Sequence, residues 1–191
     1  PGLKTVSSTF IMPAPNFRGE GRIFLFADCA VIPNPTSEQL ADIAISTALT
    51  RKAIIGDEPK VALLSFSTLG SAKHEMVDKV TAAKAILAER NIDFAYEGEL
   101  QLDAAIIPEV AKRKAPQSSV AGNANILIFP DLQAGNIGYK LAQYLGEIKA
   151  IGPIIQGLAA PVSDLSRGCS AEDIVNTVAF VLLMAEQQKK L

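Results

Sequence analysis

Apolar residues in this chain alternate between short unbroken runs and longer stretches in which they return every three or four positions. Residues 22–27 hold Ile23, Phe24, Leu25 and Phe26 in succession, residues 60–66 hold Val61-Ala-Leu-Leu64, and residues 125–129 hold Ile126-Leu-Ile128. Such runs predict strands covered on both faces. Residues 5–12, 93–97 and 150–155 read as further strands. The first of these ends at the breaker Pro13-Ala-Pro15 and is expected to pair as a hairpin with residues 22–27 across residues 16–21. Thr36-Ser-Glu-Gln39 is a capping box opening a helix to about residue 54, with Leu40, Ile43, Ala44 and Thr47 on one face. Helices are also predicted over residues 75–90, over 103–114 with an interruption near Pro108, over 136–145, and from Ser170 towards Met184. Strands alternating with helices define an α/β fold, a three-layer α/β/α arrangement around a mainly parallel sheet with right-handed crossovers. Ligands of such sheets bind beyond the carboxyl ends of the strands, so the loops after Phe66, Phe129 and Gly157 are expected to converge on one crevice.

Composition narrows the class of guest. Of 191 residues, 49% are hydrophobic and 20% charged, which suits one folded domain, or one domain and part of another. The 18 Lys and Arg against 20 Asp and Glu give a formal charge of −2. There is no broad basic field to attract nucleic acid or anionic lipid, neither is an expected partner, and any phosphate site must be built locally. Cys29 and Cys169 lack paired CxxC spacing and read as reduced thiols. With no signal-like start and no apolar run of membrane length, a cytoplasmic location is the expectation.

Chemistry gathers in residues 161–175. Ser170 is suited to an N-cap and Asp173 stands three residues on, a capping-box variant with its carboxylate in the first helical turn. The free N–H groups and positive dipole end of that helix would face Ser166, Arg167, Gly168 and Cys169, an arrangement attractive to phosphate, and Arg167 adds a guanidinium fork. Each residue also has a plain reading: Ser166 as a turn residue, Arg167 as a surface charge, Asp173 as a helix-start carboxylate. Cys169 has no histidine near it in sequence, and the single histidine, His74, reads as a helix-start or surface residue. Asp28, Asp103, Asp131 and Asp164 match no cation-binding loop, and no metal is expected. Asn136, Tyr139 and Lys140 fall where a helix is predicted to start after a strand, where they either meet a phosphate or cap the helix.

The run Asp164-Leu-Ser-Arg-Gly-Cys-Ser170 with Asp173, preceded by Ile128-Phe-Pro-Asp-Leu132, Gly135-Asn-Ile-Gly-Tyr-Lys140 and Ile151-Gly-Pro-Ile-Ile-Gln-Gly157, resembles the phosphate acetyltransferase (phosphotransacetylase) family. The likeness continues through Asn34-Pro-Thr36, Leu64-Ser-Phe-Ser-Thr68, Gly70-Ser-Ala-Lys-His74 and Asp103-Ala-Ala-Ile-Ile-Pro108. It implies a two-domain architecture of the isocitrate/isopropylmalate dehydrogenase kind. Residues 1–155 would be the second α/β domain and residues 156–191 a loop and helix returning to the first domain, whose N-terminal body is expected to be missing here.

The resemblance further implies reversible acetyl transfer between acetyl-CoA and inorganic phosphate, giving acetyl phosphate and coenzyme A, directly within a ternary complex. Coenzyme A would be a substrate, with no tightly bound cofactor. In that reading Asp173 is the general base for the thiol, Ser166 orients the reacting groups, and Arg167 binds phosphate and balances charge in the transition state. Asn136, Tyr139, Lys140, Gly168 and Cys169 would contribute to substrate binding, and the enzyme would be a homodimer. A butyryl-transferring relative and a non-catalytic dimerisation or binding fragment are the alternatives. Two departures bear on this: the family often carries Lys at the position of Ala160 and Asn at that of Ser163, so one contact to coenzyme A phosphates is lost. Without the facing wall of the cleft, the chain alone is expected to show little or no turnover.

Overall fold

Ile126, Leu127 and Ile128 are almost wholly shielded from solvent, and the strand that they form lies near the middle of a seven-stranded sheet. The structure is a computed structural model and describes residues 4–188. Its strands are β1 (Ser7–Ala14), β2 (Arg22–Ala27), β3 (Lys60–Leu64), β4 (Ala95–Leu100), β5 (Ile126–Ile128), β6 (Ile151–Gln156) and β7 (Val162–Ser163), in the order β4-β3-β5-β2-β1-β6-β7. The helices are α1 (Ser37–Ile54), α2 (Glu75–Glu89), α3 (Leu102–Ile106), α4 (Pro108–Lys114), α5 (Leu132–Tyr144) and α6 (Ala171–Gln188).

The pairings β2 with β5, β5 with β3 and β3 with β4 are parallel, whereas β1 is antiparallel to both β2 and β6, and β7 is antiparallel to β6. Strands β2 to β6 therefore all point one way, with β1 and β7 reversed. The mainly parallel sheet expected from the alternation is present in strand direction, inside a mixed hydrogen-bonding pattern. The predicted hairpin is also there, with Phe10 opposite Phe26 and Pro13 opposite Ile23.

Two apolar layers cover the sheet. Helices α1, α2 and α6 supply Leu40, Ile43, Val80, Leu87, Phe180 and Met184 to one face. Helices α3, α4 and α5 supply Ala105, Ala111, Ala134 and Tyr139 to the other. Each fully buried Leu or Ile contributes roughly 1.5–3 kcal/mol relative to exposure, so the central strands anchor the domain. The capping box of α1 is closed as predicted: the Gln39 N–H donates to Thr36 Oγ1 at 3.2 Å and the Thr36 N–H donates to Gln39 Oε1 at 2.9 Å.

Several boundaries, and one strand, differ from expectation. Strand β1 runs on through Pro13 to Ala14, because its pairing with β6 ends at Ile11 and the missing proline N–H falls where one side of the strand is free. Strand β4 begins at Ala95, not residue 93. Helix α5 begins at Leu132, four residues before the predicted start, because Asp131 caps it by accepting the Ala134 N–H at 2.9 Å. Strand β7 was not anticipated.

Candidate active site

The candidate residues reach their place through a reversal of the chain. At the end of β6, Gly157 adopts φ +82°, and a Cβ there would stand 2.2 Å from the Thr5 carbonyl oxygen, so only glycine fits. The short β7 then runs back along β6. The Ser163 hydroxyl and the Asp164 N–H both donate to the Pro153 carbonyl, at 2.7 and 3.2 Å. Residues 164–170 consequently lie beside the beginning of β6. The chain just after Gly157 leaves the same carboxyl edge as the loops after Phe66 and Phe129, as expected, but β7 carries it back, so the candidate turn itself does not share their crevice.

Within this turn the Cys169 N–H donates to the Ser166 carbonyl at 3.0 Å and the Gly168 N–H donates to Ser166 Oγ at 3.3 Å. The Ser166 hydroxyl thus shapes its own loop, as its plain reading required. Ser166, Arg167 and Gly168 are exposed and Cys169 is half-buried. Helix α6 opens on the predicted box: the Ser170 N–H and hydroxyl both donate to Asp173 Oδ2 at 2.8 Å, and the Asp173 N–H donates to Ser170 Oγ at 3.2 Å. The two bonds from Ser170, backbone first, and then the nearby Lys149 ammonium hold the Asp173 carboxyl below its ordinary range. It is ionised at neutral pH and able to accept a proton, although the depressed pKa makes it a weaker base than a buried carboxylate would be.

Lys149 was not among the candidates singled out above. It stands just before β6 and bonds Glu172, the residue before Asp173, at 2.5 Å. Glu172 and the field of Asp173 raise its pKa. A cation therefore stands where the turn, the helix start and the sheet edge meet.

The other candidates are placed elsewhere. Asn136, Tyr139 and Lys140 were expected at a helix start, but they lie in the middle of α5. The Asn136 amide donates to the Cys29 carbonyl at 3.1 Å, the buried Tyr139 ring stacks on Phe10 at 4.2 Å, and the Lys140 ammonium sits 5.2 Å from the Tyr139 ring centroid. The helix-start premise fails for all three, and the Tyr139 ring belongs to the core. Cys29 is enclosed, and burial followed by the Asp28 charge pushes its thiol well up, which suits an inert thiol. His74 caps α2, its Nδ1 accepting the Met76 N–H at 3.2 Å. Asp28 accepts four backbone N–H bonds, three of them from Ala30, Val31 and Ile32, and fixes the loop after β2. Asp103 pairs with Lys114 at 2.8 Å. Among the described residues no group of three or more His, Cys, Asp or Glu side chains could hold a metal ion, and no helix is long and apolar enough to cross a membrane.

A layered α/β domain with a guanidinium, a hydroxyl and an ionised carboxylate in one capped turn is a suitable frame for group transfer involving an anion. Comparison with known proteins narrows this to one family. Residues 1–182 match the family described as phosphate acetyl/butaryl transferase, and the chain belongs to it. It is 62% identical over 188 residues to the phosphate acetyltransferase of Clostridium acetobutylicum, covering 98% of this chain and 56% of that protein. Among solved structures it resembles a phosphotransacetylase from Streptococcus pyogenes, with TM-score 0.91, 52% identity and coverage of 98% of this chain and 56% of the other. It also resembles a branched-chain phosphotransacylase from Enterococcus faecalis V583, with TM-score 0.79 and 27% identity over 96% of this chain and 64% of that one. The chain thus spans little more than half the length of the first two.

Proposed function

We propose that this chain is the C-terminal part of an enzyme that reversibly transfers an acetyl group between acetyl-CoA and inorganic phosphate, giving acetyl phosphate and coenzyme A. The observation that carries the reading is the turn of residues 164–173, with Ser166, Arg167 and an ionised Asp173, in a chain 62% identical to a phosphate acetyltransferase. Acetyl is preferred over a longer acyl group because the relative named for acetyl transfer is far closer in sequence than the branched-chain one.

In this mechanism Asp173 accepts the proton of the coenzyme A thiol. The thiolate attacks the carbonyl carbon of acetyl phosphate, and phosphate leaves with the electron pair of the broken C–O bond. Arg167 offers a charged fork to the phosphate oxygens, where a well-aimed donor contributes roughly 3–4 kcal/mol to the transition state. Ser166 orients the reacting groups, and Gly168 and Cys169 line the turn. Asn136 and Lys140 contribute from the body of α5. Coenzyme A, phosphate and acetyl phosphate are the partners, no cofactor is held permanently, and the parent enzyme is a cytoplasmic homodimer.

We place residues 1–155 in a second α/β domain and residues 156–191 in a segment returning to a first domain. One observation supports the return. Helix α6 turns Phe180 and Met184 towards the core, whereas Val175, Val178 and Leu182 are 51–67% exposed, a face suited to being covered by the rest of such an enzyme. The test is to assay acetyl-CoA formation by this chain alone and by this chain grafted behind the N-terminal part of the Clostridium acetobutylicum relative. Turnover in the graft and little in the chain alone is expected. A folded graft that binds coenzyme A yet never turns over would overturn the reading.

A further inference from the structure

Residues 165–186 hold the candidate turn and most of α6, and among the described residues one polar contact joins them to the rest of the chain. It is the Lys149 ammonium on Glu172 Oε1 at 2.5 Å. The other hydrogen bonds of that stretch stay within it. Upstream, Ser163 and Asp164 hold to the Pro153 carbonyl, and downstream Phe180 and Met184 pack on the core. Apolar packing of that kind has no preferred direction, whereas an ion pair between two named atoms does. Successive residues of an α-helix point about 100° apart, so whatever pins Glu172 also sets the bearing of Asp173.

Lys149 stands in the connection from α5 to β6, in the wall of a cavity of about 660 Å³ that the end of β1 and the start of β2 complete. The charged residues of that wall are Arg22, Glu147 and Lys149, and Lys149 is the one bonded to α6. On the other side, Glu172 and Asp173 are the acids of the first turn of α6, and Asp164 and Arg167 are the charged residues of the loop before it. The bonds from Ser170 lower the Asp173 carboxyl most, and the Lys149 charge lowers it further. Lys149 and Glu172 are 59% and 65% exposed, so their pair adds little to global stability. Its effect on position is larger, since moving a reacting group by about 1 Å can cost on the order of 100-fold in rate.

We propose that Lys149 is a positioning residue for the acyl-transfer reaction: by holding Glu172 it ties the first turn of α6 to the start of β6 and so fixes where the Asp173 carboxylate stands. It touches neither substrate and acts only through the helix start. The assignment rests on the acyl-transfer reading of the turn and adds to it a residue from another segment of the chain.

Two measurements test it. In this chain the Asp173 carboxyl is titrated by NMR. In the graft, kcat and KM are measured for Lys149→Met, Lys149→Arg, Glu172→Gln and the double variant Lys149→Met with Glu172→Gln. Lys149→Met should move the Asp173 titration to higher pH, because a cation that favours the ionised form is gone, and Lys149→Arg should leave it in place. In the graft, Lys149→Met should lower kcat about tenfold or more, with KM for coenzyme A and for acetyl phosphate within about twofold of the unmodified values. Lys149→Arg should recover most of that kcat. The double variant should fall no further than Lys149→Met alone, because one link cannot be broken twice. Thermal unfolding of the variants should match that of the unmodified chain, which separates lost turnover from lost folding. An unmoved Asp173 titration, an unchanged kcat, or losses that add in the double variant would overturn the proposal. A titration that moves as expected beside a graft that transfers nothing would support the link and count against the acyl-transfer reading.

Discussion

Ser170 and Asp173 cap each other, backbone to side chain in both directions, and the same Asp173 oxygen accepts both the Ser170 N–H and the Ser170 hydroxyl. This fixes the carboxylate against the first turn of α6. Ser170→Ala removes the hydroxyl half of the box and should lower the stability of the chain by about 0.5–2 kcal/mol in chemical unfolding. Because the folded Asp173 carboxyl titrates below its unfolded value, its contribution is complete above the unfolded pKa and fades as pH falls through the folded one. The difference between wild type and Asp173→Ala should therefore shrink on acidification, and a difference that grows would contradict the cap.

Glu99 organises the loop between β3 and α2. Only 4% exposed, its carboxylate accepts the Gly70 N–H at 2.7 Å and the Ser67 hydroxyl at 2.8 Å, while its carbonyl accepts the Leu69 N–H. Burial alone would raise the Glu99 carboxyl, but the Gly70, Ser67 and Thr81 donors together outweigh it and hold the group low. Glu99→Ala leaves buried donors unmet and should cost about 1–3 kcal/mol at neutral pH. The sign follows from linkage: the contribution is present above the ordinary glutamate pKa and lost below the depressed folded one, so wild type and variant should converge in acid unfolding curves.

Arg51 clasps the amino edge of the sheet. Its side chain is 2% exposed, pairs with Asp57 at 2.6 and 2.7 Å, and donates to the Ile23 and Asn125 carbonyls at 2.9 and 3.1 Å. Arg51→Met keeps much of the apolar stem and strands these acceptors, so a loss of about 1–3 kcal/mol is expected in urea unfolding. An unchanged midpoint would remove Arg51 from the account of stability.

Much of this was legible in the sequence where local chemistry decides the outcome. Ile126-Leu-Ile128 could only be a strand enclosed on both faces, and the boxes at Thr36 and Ser170 announce α1 and α6 through residues three apart. What escaped depends on pairs distant along the chain. The two residues of β7 are held by Ile154, Ile155 and the Pro153 carbonyl, and no propensity marks them. The cap that Asp131 supplies starts α5 four residues early, which displaced Asn136, Tyr139 and Lys140 from their expected place. Arg22 and Lys149 are far apart in sequence and become neighbours of one cavity only because β1 lies between β2 and β6.

The most direct test of the central claim is kcat of the graft with Asp173 replaced by Asn. The asparagine carbonyl can still accept the Ser170 N–H, so the helix start survives, but it cannot take a proton from a thiol. The account predicts a fall in kcat of about 10²–10⁴-fold, with KM for both substrates and thermal stability nearly unchanged. Turnover close to that of the unmodified graft would contradict it and leave Asp173 as a helix cap alone.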